Sequence, residues 1–271
     1  MGQTSAQDKM PYAIFDKNGK KTTYKKMVET AGKSQIVLFG EYHDNSIVHW
    51  LQLEFAKDLL SKKPIVMGAE MIESDNQAAL NDYLQGIIND KQLDTLARLW
   101  RNYKTDYKPL VDFAKDKKLP FIATNIPRRF ASLVYKGGLE VLENLPADEK
   151  LMMPPLPIPY DKNLPGYVKM MAEMGDHGGE NLPKAQAVKD ATMAHFILKN
   201  LKNGSIFLHF NGTYHSDNFD GINWYLKKGP AKPVIMTIST VSQMDVSTLE
   251  IENYNKADFI IVTDEDVTKT Y

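Results

Sequence analysis

The sequence predicts an α/β protein: a mostly parallel β-sheet flanked by helices, with a smaller inserted α-helical subdomain. Short uninterrupted apolar runs recur along the chain, as buried parallel strands require, and they alternate with stretches whose apolar residues fall at helical spacing. With 271 residues the chain is long enough to bury a large core without disulfides. Polar residues follow several of the apolar runs directly, and open α/β sheets bind ligands beyond the carboxyl ends of their strands.

Taken in order, residues 1–10 form a polar tail, Tyr12 to Phe15 reads as a strand, and Lys17-Asn18-Gly19-Lys20 as a turn. Thr22 to Thr30 reads as a helix capped by Thr22 or Thr23. Ile36 to Phe39 is the next strand. Gly40-Glu41-Tyr42-His43-Asp44 follows it, and then a helix from about Ser46 to Leu60, with Ile47, Leu51, Phe55 and Leu59 spaced four apart. Ile65 to Met67 repeats the pattern, with Glu70 just beyond it. Asp75 to Arg101 reads as two helices meeting near Gly86 or Asn89, and Pro109 opens a helix that runs to Lys117. Phe121 to Ala123 is a strand followed by Thr124-Asn125-Ile126-Pro127-Arg128-Arg129.

Composition changes over residues 130–184. The prolines of Met152 to Tyr160 exclude both helix and central strand, and Met, Tyr and His residues gather from there to His177. This segment is the expected inserted subdomain, either an adaptable apolar binding surface or a helical flap packed on the sheet. The α/β domain then comprises residues 11–129 and 185–271. Gln186 to Leu201 is a long apolar helix whose Gln186 and Asp190 share one face and need buried partners. Ser205 to Phe210 is a strand leading into Asn211-Gly212-Thr213-Tyr214-His215. A helix around Trp224 to Leu226 and strands at Val234 to Ile238 and Phe259 to Val262 complete the alternation of a parallel, doubly wound sheet.

The formal net charge of -1 argues against a general nucleic-acid binder. The absence of cysteine excludes disulfides, thiolate metal sites and cysteine nucleophiles. No apolar run approaches the roughly 18 residues of a membrane helix, and MGQTSAQDKM lacks the apolar core of a signal peptide. That start fits a native cytosolic terminus, which composition favours, or an added start before a mature exported chain.

If the strands are parallel, their ends bring Glu41, Tyr42 and His43 together with Glu70, with Asn125, Arg128 and Arg129, and with Asn211, Tyr214 and His215. Each residue alone reads most simply as a cap or a buried hydrogen-bonder; the set reads as a site. Glu41, His43, Glu70 and His215 suit a divalent metal ion that activates water, or an imidazole acting as general base with a carboxylate holding its tautomer. No phosphate-binding glycine loop and no G-x-S-x-G elbow is present. His49, His195 and His209 lie among apolar residues and read as structural. Tyr160, Tyr167 and His177 are of the residue types that ligate haem iron, or else aromatic packing of a proline loop.

Five blocks in order carry a resemblance across nearly the whole chain. They are Gly40-Glu41-Tyr42-His43-Asp44-Asn45, Gly68-Ala69-Glu70-Met71, Asn125-Ile126-Pro127-Arg128-Arg129, Ala185-Gln186 with Lys189 to Ala194, and Asn211 to Asp217. Together they resemble the ChaN-like haem-binding lipoproteins. The resemblance implies a parallel sheet with a smaller helical domain, haem uptake at the bacterial outer membrane, and a homodimer enclosing two stacked haems. It also implies a tyrosine on each iron, a histidine and a lysine of the partner subunit on the propionates, and an outer-membrane haem receptor as a further partner. Tyr167, Tyr160 and His177 are the candidate haem-binding residues, with Tyr42 as a rival and Arg128 beside it. The family's lipid-bearing cysteine is missing here, as in a mature chain cut just after it. A more distant similarity, to Tiki metalloproteases and erythromycin-esterase-like enzymes, rests on Glu41, His43, Glu70 and His215 alone and implies a metal-dependent hydrolase.

Overall fold

In the computed structural model, residues 9–174 and 179–271 are described. The chain opens with a hairpin, β1 (Tyr12–Asp16) and β2 (Lys21–Thr22), joined by a turn in which Gly19 takes a positive φ. Helix α1 (Tyr24–Ala31) follows, capped by the Thr23 hydroxyl, which accepts from the Lys26 amide. Then come β3 (Ile36–Glu41), α2 (Ser46–Leu60) with Asn45 as its cap, and β4 (Ile65–Glu73). Helices α3 (Gln77–Leu84), α4 (Asp90–Leu96) and α5 (Lys108–Lys117) lead to β5 (Phe121–Asn125). A single π-helical turn, Tyr103–Tyr107, precedes α5.

Helices α6 (Arg128–Gly137), α7 (Ala147–Lys150), α8 (Pro165–Met174) and α9 (Leu182–Asn200) come next. The chain finishes with β6 (Ile206–Gly212), α10 (Ile222–Lys228), β7 (Ile235–Gln243) and β8 (Phe259–Asp264).

The eight strands form one sheet in the order β2-β1-β8-β7-β3-β6-β4-β5. From β8 to β5 every neighbouring pair is parallel. The edge hairpin is antiparallel, β1 running against β8 and β2 against β1. The sheet is therefore mixed and not wholly parallel. A hairpin turn reverses the chain within a few residues, whereas a parallel neighbour needs a long crossover. The two residues of β2 are too few to show a pattern in the sequence.

Alternation along each strand sorts the core into two layers. On one face Val37 and Phe39 of β3 pack with Phe55 of α2, Leu80 of α3 and Tyr107 and Val111 near α5. On the other, Ile36 and Leu38 pack with Phe130 and Val134 of α6, Val188 and Ile197 of α9, and Leu226 of α10. Leu142, Met153 and Ile158 belong to this second layer too, so the first half of the segment 130–184 shares a core with the sheet and α9. Its second half adds a smaller cluster, Leu164 and Tyr167 against Ala187. Among the described residues no helix is long and apolar enough to cross a membrane.

Candidate functional site

Parallel pairing places the ends of four strands on one edge. Glu41 of β3 is in register with Gly212 of β6, and Ala69 of β4 with Phe210. Between Ala69 and Glu73, β4 holds more residues than the matching stretch of β5 from Ala123 to Asn125, a bulge of the kind that re-aims side chains. Glu70 lies in this bulge and reaches across to β6. These ends open into a cleft of about 1120 Å³ whose lining includes Tyr42, His43, Glu70, Trp100, Met170 and Tyr214.

The first unit of the site is Glu41 with His43. Glu41 is fully buried, and its Oε1 accepts from His43 Nδ1 at 2.9 Å and from the Tyr107 hydroxyl at 2.7 Å. Gln52 Nε2 donates to its other oxygen. Burial disfavours the charge on Glu41, but these bonds and the nearby imidazoles outweigh it and hold the carboxyl below its usual range. For His43 burial is likewise overcome, by Glu41 and Glu70, and its pKa rises. The loop is fixed from behind: Asn102 Nδ2 donates to the His43 carbonyl at 2.9 Å, and His49 Nε2 lies 3.1 Å from the same oxygen. The His43 side chain is 30% exposed, and the edge of its ring meets Trp100.

The second unit is a buried row of charges. His215 Nε2 lies 3.0 Å from Glu70 Oε1, and its Nδ1 lies 2.5 Å from Asp190 Oδ1. Glu70 Oε2 accepts from the Gly212 amide at 2.7 Å, and Asp190 Oδ2 from the Tyr167 hydroxyl at 3.1 Å. Burial would strip His215 of its proton, yet the flanking carboxylates push its pKa up to about 9. Asp190 and Gln186, one helical turn apart on α9, thus find their partner in His215, since the Gln186 amide packs 3.0 Å from the imidazole Nδ1.

Of the expected residues, Glu41, Tyr42, His43, Glu70, Arg128 and His215 all line the cleft. Arg129 does not join them; it turns to Asp75 at 2.5 Å. Tyr167 is buried with its hydroxyl on Asp190, its ring 5.7 Å from that of Tyr160, and neither tyrosine lines the cleft. His177 lies outside the described residues. His49 supports the His43 loop, and His209 is wholly buried, its pKa pushed down to about 4 by burial while Thr124 lies 2.8 Å from its Nε2.

The expected metal ligands do not gather as a ligand set. Among the described residues no three His, Asp or Glu side chains are placed to hold one ion. Both nitrogens of His215 are committed to carboxylates, and Glu41 and Glu70 each belong to a different imidazole. As placed, these side chains pair with one another and do not form a coordination sphere.

Several residues that line the cleft, and Tyr107 which supports Glu41 from behind it, escaped the sequence reading. Trp100, Asn102 and Tyr107 come from the connection between α4 and α5, and Lys269 and Tyr271 from the last residues of the chain. Lys269 pairs with Asp44 at 3.2 Å, and Arg101 lies over the Tyr271 ring. The run of Trp100, Tyr103 and Tyr107 between polar residues was the available signal for the first of these. Asn125 lines the cleft with a buried Oδ1 that has no hydrogen-bond partner among the described residues.

The family model described as haem-binding uptake, Tiki superfamily, ChaN matches residues 27–226, a span that contains all four strand ends. The chain belongs to this family. Among solved structures it is similar to ChaN of Campylobacter jejuni, described as binding haem cofacially, with a TM-score of 0.69, 18% identity, and coverage of 93% of this chain and 97% of that one. It is also similar to a succinoglycan biosynthesis protein (TM-score 0.55, 11% identity, 89% and 90% coverage) and to a Bacillus cereus protein (TM-score 0.54, 13% identity, 89% and 90% coverage). At these identities the likeness is one of fold. No curated protein matches the sequence. Membership of the ChaN family agrees with the mixed sheet and its flanking helices.

Proposed function

We propose that the cleft binds haem. The observation that carries this reading is the character of the cleft in a chain of the ChaN family: wide, walled by Leu99, Trp100, Ile126 and Met170, and offering phenols and cations. Flat apolar ligands take such walls, with a few polar groups for orientation. Tyr42, Tyr214 and Tyr271 are the phenols that line it, Tyr214 being 61% exposed. Arg128 and Lys189 line it as well and have no carboxylate within ion-pair distance among the described residues, so they suit the propionates. When bound, haem supplies an iron that accepts a tyrosinate or imidazole ligand.

Tyr167 remains a candidate ligand only if its hydroxyl leaves Asp190, and Tyr160 only if the proline loop turns. His177 stays a candidate on the resemblance. On the resemblance of the five sequence blocks we extend the reading to export to the bacterial envelope as a lipoprotein, action as a homodimer, and exchange with an outer-membrane haem receptor. Sedimentation with haemin would report the dimer, and a coding sequence upstream without a lipoprotein signal would count against the anchor. A metal-dependent hydrolase is the weaker alternative, supported only by the shared edge of its four residues.

Titrating the purified protein with haemin at micromolar concentration is expected to give a saturable Soret shift. The Tyr42→Phe or the Tyr214→Phe variant is expected to lose the tyrosinate spectrum. No shift with the wild-type protein overturns the reading.

A further inference from the structure

We propose that Tyr271 is a contact residue for the flat ring of the bound ligand, and that Thr270 positions both Tyr271 and the loop carrying Tyr42 and His43. The contact part of this inference rests on the haem reading; the positioning part does not. Both residues lie outside the span 27–226 that the family model matches, so one wall of the cleft comes from beyond it. Val267 is the only aliphatic residue in the stretch 265–271, and hydrophobic burial gives this stretch little reason to fold back. Polar contacts hold it instead. Lys269 bridges antiparallel to Asn45, the Thr270 amide donates to the Asp44 carbonyl at 3.0 Å, and the Ser46 hydroxyl donates to the Thr268 carbonyl at 3.1 Å. All of them grip the turn between β3 and α2.

Thr270 does more than fasten this strap. Its hydroxyl donates to Asp106 Oδ2 at 2.7 Å. Asp106 is only 2% exposed and belongs to the π-helical turn before α5, a departure from α-helical geometry that is frequent at functional positions. The same carboxylate oxygen accepts from Asn102 Nδ2 at 2.6 Å, and that nitrogen also donates to the His43 carbonyl. Hydrogen bonds therefore run from Thr270 through Asp106 and Asn102 to the backbone of His43. Bonds to an ionised carboxylate are stronger than neutral ones, so losing the Thr270 donor is felt along this path.

Tyr271 is what the strap delivers. It lines the cleft together with Leu99, Trp100 and Arg101, and its side chain is left 54% exposed. The Arg101 guanidinium lies 5.5 Å from the centre of its ring, and this contact holds the ring without covering it. An aromatic ring that is already held in place offers a planar conjugated ligand contact area at little cost in side-chain ordering.

The test compares the full chain with its Thr270→Val, Tyr271→Ala and Tyr271→Phe variants, by amide hydrogen exchange without haemin and by Soret titration with it. Thr270→Val is expected to exchange about 10-fold faster over residues 42–46 and 101–107, with β6 unchanged and the melting curve like that of the wild type. Tyr271→Ala is expected to keep the wild-type exchange pattern and to bind haemin about 10-fold more weakly, whereas Tyr271→Phe binds like the wild type with the same spectrum. The positioning role is overturned if Thr270→Val exchanges like the wild type over 42–46, or if its faster exchange is spread evenly along the chain. The contact role is overturned if Tyr271→Ala keeps full affinity, or if Tyr271→Phe loses the tyrosinate spectrum, which would make this phenol the iron ligand. A wild-type protein without a Soret shift overturns the haem reading and the contact role with it, and the exchange comparison still decides the role of Thr270.

Discussion

Replacing His215 by leucine is expected to lower the free energy of unfolding by about 3–5 kcal/mol, the cost of breaking a buried ion pair from one side. His215 joins Glu70 to Asp190, and all three side chains are almost wholly inside. Leucine leaves two carboxylates facing each other with no cation between them. Glu70 keeps the Gly212 amide and Asp190 keeps the Tyr167 hydroxyl, so neither is abandoned, but neither is neutralised. Urea unfolding at neutral pH measures the loss. Adding Asp190→Asn to His215→Leu is expected to restore part of it, since one of the two stranded charges is then gone. A loss below about 1 kcal/mol, the size of an ordinary single hydrogen bond, would show that the row of charges contributes no more than that.

The wild-type protein is expected to lose stability between about pH 6.5 and pH 9. The His215 imidazole titrates near 9 in the folded chain against 6.5 when unperturbed. A raised folded-state value means that the folded chain holds the proton more tightly. The stabilisation is therefore complete below the unfolded value and disappears as pH rises through the folded one. At about 1.4 kcal/mol for each pH unit of difference, the effect is on the order of 3 kcal/mol. Urea midpoints taken across this range measure it. His215→Leu should flatten the curve in the same window, and a wild-type curve that is already flat would show that the imidazole is not charged in the folded state.

Much of the sheet and its active edge can be read from residue order. The apolar runs at Ile36, Ile65 and Ser205 are interior strands and the one at Phe121 is the parallel edge strand, and an uninterrupted run is the signature of a strand covered on both faces. Because parallel strands share one direction, the polar residues after them had to meet. Glu41, His43, Glu70 and His215 do so. Asn102, Tyr107 and Gln52 could not be found in this way. They act on Glu41 and His43 from other elements, and no local periodicity records a contact between a helix and the back of a loop.

The pairing of charges was equally out of reach. Four residues of metal-binding type at one edge are compatible with coordination or with ion pairs, and composition is the same in both. What separates them is a few ångströms: Asp190, a residue of α9, takes the second nitrogen of His215 and closes it to a metal. The tyrosines show the same division. Tyr167 and Tyr214 are alike in the sequence as aromatic residues near the site, yet one is buried on Asp190 and the other stands 61% exposed in the cleft.

By itself, then, the sequence determined an α/β sheet, the family, and the edge where the polar residues after the strands converge on one cleft, since strand periodicity and polar residues after strands are local properties. Only the tertiary structure decided that the edge hairpin is antiparallel, that the cleft's imidazoles pair with carboxylates, and that the His43 ring packs so close to Gly212 that a Cβ there would lie 2.8 Å from its Nε2. Those features depend on distances between residues far apart in the chain, which are set by how helices pack on the sheet.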